Sequence, residues 1–251
     1  MGFAVGLVVA SITAPVGVSG AVFMLPFQLT LLGVPNPAVT PTNLLFNVIA
    51  GPGALLPYRR SGSMARPLAR LLLCGSVPGV VVGAVIRVFL LPGPEAFQLV
   101  AGIVLLALGL WLVRRTIRPV RTHRPLSSST IALLSLGVGV VGGVYGIGGG
   151  SILSPILVGT GMAVAVVAPA ALASTFVTSI VGALTYTVLA FAADGTIAPD
   201  WPVGIACGLG GLVGGYSGAW LQPLLPEQAS RMLLGLLAVG IGGLYLLPAV
   251  T

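Results

Sequence analysis

Gly142-Gly-Val-Tyr-Gly-Ile-Gly-Gly-Gly-Ser-Ile-Leu-Ser-Pro155 decides how this chain is read. It lies inside a long apolar run, where a bilayer helix should be most regular. Glycine costs about 1 kcal/mol relative to alanine in a helix interior. Three consecutive glycines, Gly148 to Gly150, followed by Ser151 and Pro155, therefore predict a break in the helix. Inside a bilayer, backbone without helical hydrogen bonds is tolerated only against protein or a water-filled cavity. The break is thus a candidate ligand site.

Composition supports the bilayer. The chain is 57% hydrophobic and 6% charged, where soluble domains carry roughly 25% charged residues, and its mean hydropathy is +1.13. The expected class is all-α and polytopic. A barrel does not fit, because the apolar runs are continuous rather than alternating. No basic residue precedes the first apolar run, which leads straight into Pro15, Gly17 and Gly20, so no cleaved signal peptide is expected. Every basic residue is arginine, and the arginines fall in short loops. They read as topology-setting charges rather than a nucleic-acid surface. Cys74 and Cys207 sit in apolar segments as packing residues, and His123 stands alone, so neither a metal site nor a cofactor is expected.

Outward from the break, the chain divides into eight hydrophobic segments: 3–31, 39–57, 71–91, 96–113, 130–159, 163–192, 202–222 and 229–248. Most are close to the ~20 residues a bilayer requires, and segments one and five are longer. The basic stretch 114–129 is the linker between an N-terminal repeat, 1–113, and a C-terminal repeat, 130–251. The repeats pair residue by residue. Gly17 meets Gly146, Gly20 meets Gly149, Pro26 meets Pro155 and Tyr58 meets Tyr186; Gly75, Gly79 and Gly83 meet Gly210, Gly214 and Gly218. Interrupted segments at matching positions of two halves point to a transporter's central site. Arg59 and Arg60 follow segment two, whereas Asp194 and Asp200 follow segment six. That asymmetry favours inverted halves, with segments one and five re-entrant. The alternative is a broken helix that crosses fully, giving parallel halves.

The glycine cluster, the following proline and the Ala/Ser/Thr-rich span after it resemble the sulfite exporter TauE/SafE family of bacterial permeases. The resemblance covers essentially the whole chain. In the first half, Pro15-Val-Gly-Val-Ser-Gly-Ala stands in for the glycine cluster, with Ser19 and Ala21 where Gly148 and Gly150 stand. It implies a multi-pass protein of a bacterial inner membrane, with a small anion such as sulfite or an organosulfonate as substrate. The Arg114–Arg124 linker is then cytoplasmic.

A half-helix starting after a break presents free N–H groups and a positive dipole end, which suits an anion. The candidate site is therefore Gly148, Gly149, Gly150 and Ser151, faced by Ser19, Gly20 and Ala21. Asn43, Asn47, Ser174 and Thr175 follow from the next spans. The same residues also suit close packing and interhelical hydrogen bonding. Arg87, at a segment end, is expected to snorkel to an interface.

Enzyme signals fail. Gly137-Val-Gly-Val-Val-Gly142 fits a dinucleotide pattern but has no preceding strand, and the chain has no lysine for a phosphate loop. Neither a carboxylate pair nor a Ser-His-Asp set appears. The expected function is a secondary transporter exporting or passing a small anion by alternating access. A channel-like anion pore and a non-transporting membrane scaffold are the rivals. The expected partners are the anion and the lipid bilayer, and the glycine faces would permit a homodimer.

Overall fold

The computed structural model describes residues 1–35, 38–90, 95–117, 126–191 and 197–250. The middle of the basic linker, the turn expected at Pro92 to Pro94, and Asp194 lie outside them. The described residues are all-helical, with ten α-helices and two single 3₁₀ turns. In chain order the helices are α1 (Gly2–Thr13), α2 (Ala21–Thr30), α3 (Val39–Arg60), α4 (Arg66–Phe89) and α5 (Glu95–Ile117). Then come α6 (Ser128–Tyr145), α7 (Gly150–Gly159), α8 (Val164–Leu189), α9 (Trp201–Leu221) and α10 (Glu227–Val250). Among the described residues, α3, α4, α6 and α8 are long and apolar enough to cross a membrane.

Segments one and five are each two helices joined by a break. α1 passes through a 3₁₀ turn at Ala14–Val16 into Gly17, whose φ of 75° is left-handed, and α2 starts at Ala21. α6 is capped by Gly146 at φ 67°, Gly148 follows at φ 73°, and α7 starts at Gly150. The second break thus has two left-handed residues where the first has one. Such backbone favours glycine. This explains why Ser19 is accepted at the position equivalent to Gly148: among the described residues no non-glycine residue has positive φ.

Other helix ends follow local chemistry. Ser127 caps α6 by accepting from the Thr130 N–H at 3.1 Å, and Asp200 caps α9 through the Val203 N–H at 3.1 Å. α4 begins at Arg66, earlier than the apolar run suggests, because Pro67 sits well in a first helical turn.

Glycine seams bring the halves together. A Cβ on Gly75, Gly79 or Gly83 of α4 would strike the backbone of Ala132, Leu136 or Val140 of α6, so these helices run parallel and nearly touch. Along α9, Gly210, Gly214 and Gly218 meet Phe3, Leu7 and Ser11 of α1 in the same sense. This is close small-residue packing of the kind found between membrane helices. α9 also runs parallel to α3, with Gly204 on Leu45 and Gly215 on Ala54. α4 runs parallel to α8, Ser76 lying against Ser174 and Val80 against Gly182. α1 and α3 therefore point the same way, and α2 returns toward the end at which α3 begins. α6 and α8 likewise share a direction, and α7 returns to the start of α8.

α3 runs antiparallel to α8, and α5 to α10. Gly51 of α3 meets Phe176 of α8 while Gly182 meets Leu44; Gly102 of α5 meets Leu246 of α10 while Gly235 meets Val113. The centre is α3 and α8, in each of which 61% of the apolar window is buried, against 44% in α4 and 39% in α6. Arg87 departs from expectation. It is 2% exposed at the end of α4, turned inward beside Tyr186 and Tyr145 instead of reaching outward.

Candidate functional site

The two breaks touch. The Ser19 N–H donates to Ser151 Oγ at 3.2 Å, and the Ser154 hydroxyl donates to the Val16 carbonyl at 2.8 Å. Around the first break, the Ala21 N–H donates to Ser19 Oγ at 3.1 Å, and the Ser19 hydroxyl donates to Asn47 Oδ1. Asn43 Nδ2 donates to the Ala21 carbonyl at 2.8 Å, which fixes the start of α2 against α3.

A cavity of about 30 Å³ lies beside this junction, walled by Thr13, Ser19, Gly20, Asn47, Thr175 and Phe176, among others. A water needs roughly 10–15 Å³ of such space, so it holds about two. Three residues of its wall carry a buried side-chain atom without a hydrogen-bond partner: Thr13 Oγ1, Asn47 Nδ2 and Thr175 Oγ1. They come from α1, α3 and α8, and their residues are at most 3% exposed. An unmet buried polar group costs about 1–3 kcal/mol. In this conformation the three atoms are closed off from the cavity space, Thr175 Oγ1 facing Gly150. Every cavity-lining side chain is neutral.

The second break is packed shut. The Gly149 N–H donates to Thr178 Oγ1 at 3.1 Å, and a Cβ on Gly150 would lie 1.8 Å from the Ala171 carbonyl oxygen. Ser174 reaches Ser76 at 3.4 Å behind it.

Residues 2–245 match the family model described as Sulfite exporter TauE/SafE. The chain belongs to the sulfite exporter TauE/SafE family. No curated protein and no solved structure matches it. As a TauE/SafE protein it is a multi-pass membrane permease.

Of the residues singled out in this TauE/SafE sequence, Ser19, Gly20, Asn47 and Thr175 share the cavity wall. Ser151 reaches the site only through the Ser19 N–H. Ala21 and Asn43 brace the start of α2. Gly148, Gly149, Gly150 and Ser174 are outside the cavity wall, against Thr175, Ser76 and Ala171. Sequence reasoning passed over Thr13, Phe46 and Phe176, which also line the cavity. Thr13 had one usable signal: it is the last hydroxyl before the Ala14-Pro15 break.

Proposed function

We propose that this protein carries a small oxyanion of the sulfite or organosulfonate class across a bacterial inner membrane by alternating access. The observation that carries this reading is a cavity beside the first break whose wall includes Thr13, Asn47 and Thr175, each with a buried polar atom left unpartnered. Neutral donors hold an oxyanion without the tight grip of a cation, so it can leave again. The cavity is smaller than such an anion, so carrying one requires the wall to widen.

The same reading makes the chain two inverted halves, 1–113 and 130–251, joined by a cytoplasmic linker. The antiparallel packing of α3 on α8 and of α5 on α10 supports it, as does the return of α2 and α7 toward the ends from which α1 and α6 start. A two-fold axis in the membrane plane produces these relations. Hairpins that re-enter leave three crossings per half, so the corner after α3 and the linker after α5 share one side.

The cavity wall holds no titratable acid or base, so transport is driven by the anion's own gradient and by voltage. An inside-negative potential favours export by about 2.3 kcal/mol per charge per 100 mV. Radiolabelled sulfite flux in proteoliposomes should then follow an imposed voltage. Flux that ignores voltage but follows a pH gradient would overturn this mechanism, and absence of sulfite and sulfonate flux would overturn the substrate class.

A further inference from the structure

Two hollows are stacked along α3 and α9. The central cavity reaches Ala54 of α3 and Gly215 of α9. A second hollow, of about 310 Å³, is lined by Tyr58, Ser61, Ser63, Ala219 and Trp220, among others. Tyr58 and Ala219 lie one helical turn beyond Ala54 and Gly215 on the same two parallel helices. The Tyr58 ring therefore stands between the hollows. It is 3% exposed, and its hydroxyl donates to the Ala14 carbonyl at 3.4 Å. Ala14 is itself part of the central wall. The outer hollow opens beside Ser61 and Ser63, at a corner where Arg59, Arg60 and Arg66 are exposed. Clustered guanidinium groups at a mouth raise the local concentration of anions.

The other half repeats the device. The Tyr186 hydroxyl donates to the Gly143 carbonyl at 2.9 Å. Tyr58 and Tyr186 occupy matching positions, and so do Ala14 and Gly143. Each tyrosine is thus tied to the last turns of the segment leading into its own break. Because α3 and α8 are antiparallel, the two rings lie toward opposite ends of the molecule.

We infer that Tyr58 and Tyr186 are the paired gates of the anion path. Tyr58 closes the way from the outer hollow, beside the basic corner, to the central cavity, and Tyr186 closes the opposite way. This rests on the transport reading above. Swinging Tyr58 aside gives up one long hydrogen bond and joins the two hollows. The bond at Tyr186 is shorter, so that gate holds more firmly in this conformation.

Accessibility of a reporter thiol tests this without needing flux. Ala50→Cys places the thiol in the central wall, in a chain also carrying Cys74→Ser and Cys207→Ala. The probe is a sulfonate-bearing methanethiosulfonate, added to sealed vesicles from either side. Ser63→Cys identifies the side of the basic corner. Tyr58→Ala should raise reporter labelling from that side on the order of tenfold, and Tyr186→Ala should raise it from the other side only. Tyr58→Phe keeps the ring and loses the hydroxyl, and should give about a threefold rise, the scale of one net hydrogen bond. If Tyr58→Ala does not yield a folded protein, Tyr58→Phe decides alone. Unchanged labelling, or an equal rise from both sides, overturns the gates. Unchanged labelling with sulfite flux intact sinks the gates and leaves transport standing; side-specific labelling without flux does the reverse.

Discussion

The two breaks are built to one plan and finished differently. At the first, one left-handed glycine, Gly17, suffices, and Ser19, Thr13 and Asn47 line a cavity. At the second, two left-handed glycines and Gly150 let α7 press against α8, and Thr178 satisfies the Gly149 N–H. The difference teaches that glycine density marks how closely backbones approach, not where a ligand fits. The richer motif is the tighter joint; the poorer one holds the space.

Substituting a glycine at each break gives the largest contrast. Gly150→Ala puts a methyl 1.8 Å from a backbone oxygen. It should cost more than the usual ~1–3 kcal/mol of overpacking, or prevent folding. Gly20→Ala meets only side-chain carbons of Phe46 and Val9 at 3.1 Å, which can shift. It should cost about 1 kcal/mol. Thermal unfolding of the two variants in detergent measures the gap, and equal losses would erase the distinction between tight and loose joints.

Transport separates the breaks next. Asn47→Leu removes a donor beside the cavity and should lower sulfite flux about 10- to 100-fold, the scale of a hydrogen bond to a charged group. Ser174→Ala on the closed side should change it less than about threefold. Initial rates in proteoliposomes, normalised to folded protein, check the pair. A larger effect at Ser174 would move the site to the glycine-rich side.

Much of this was legible in the sequence. The first break stands where Pro15 to Gly20 placed it, and the second opens at Gly146, two residues ahead of the Gly148 to Gly150 run that announced it. The pairing of Tyr58 with Tyr186 was legible too, and both hydroxyls indeed bond the carbonyls of paired positions, Ala14 and Gly143. What remained hidden depends on tertiary packing. Whether Thr175 faces a cavity or a neighbour is set by how α8 lies on Gly148 and Gly150. Arg87 stands at a helix end and looks like a snorkelling residue, but the packing of α6 and α8 around it turns it inward. Thr13 lacked any pattern beyond its place before Pro15.

The smallest expected effect concerns what anchors the outer end of each hairpin. Arg231 pairs with Glu227 at 3.0 Å and donates to the Val158 and Met162 carbonyls at 3.3 Å, at the end of α7. Glu227 also accepts from the Val164 N–H at 3.1 Å, so one ion pair clamps the α7–α8 connection to α10. In the first half Leu99 stands at the position of Arg231. Arg231→Leu makes the second half resemble the first. The pair is partly solvent-exposed, 24% at Arg231 and 44% at Glu227, so its loss should cost only about 1 kcal/mol. Hydrogen exchange should quicken at 158–163 and stay unchanged at 16–20. If both regions quicken together, the hairpins move as one body through the Ser19–Ser151 contact, and the loose and tight joints are two ends of a single moving element.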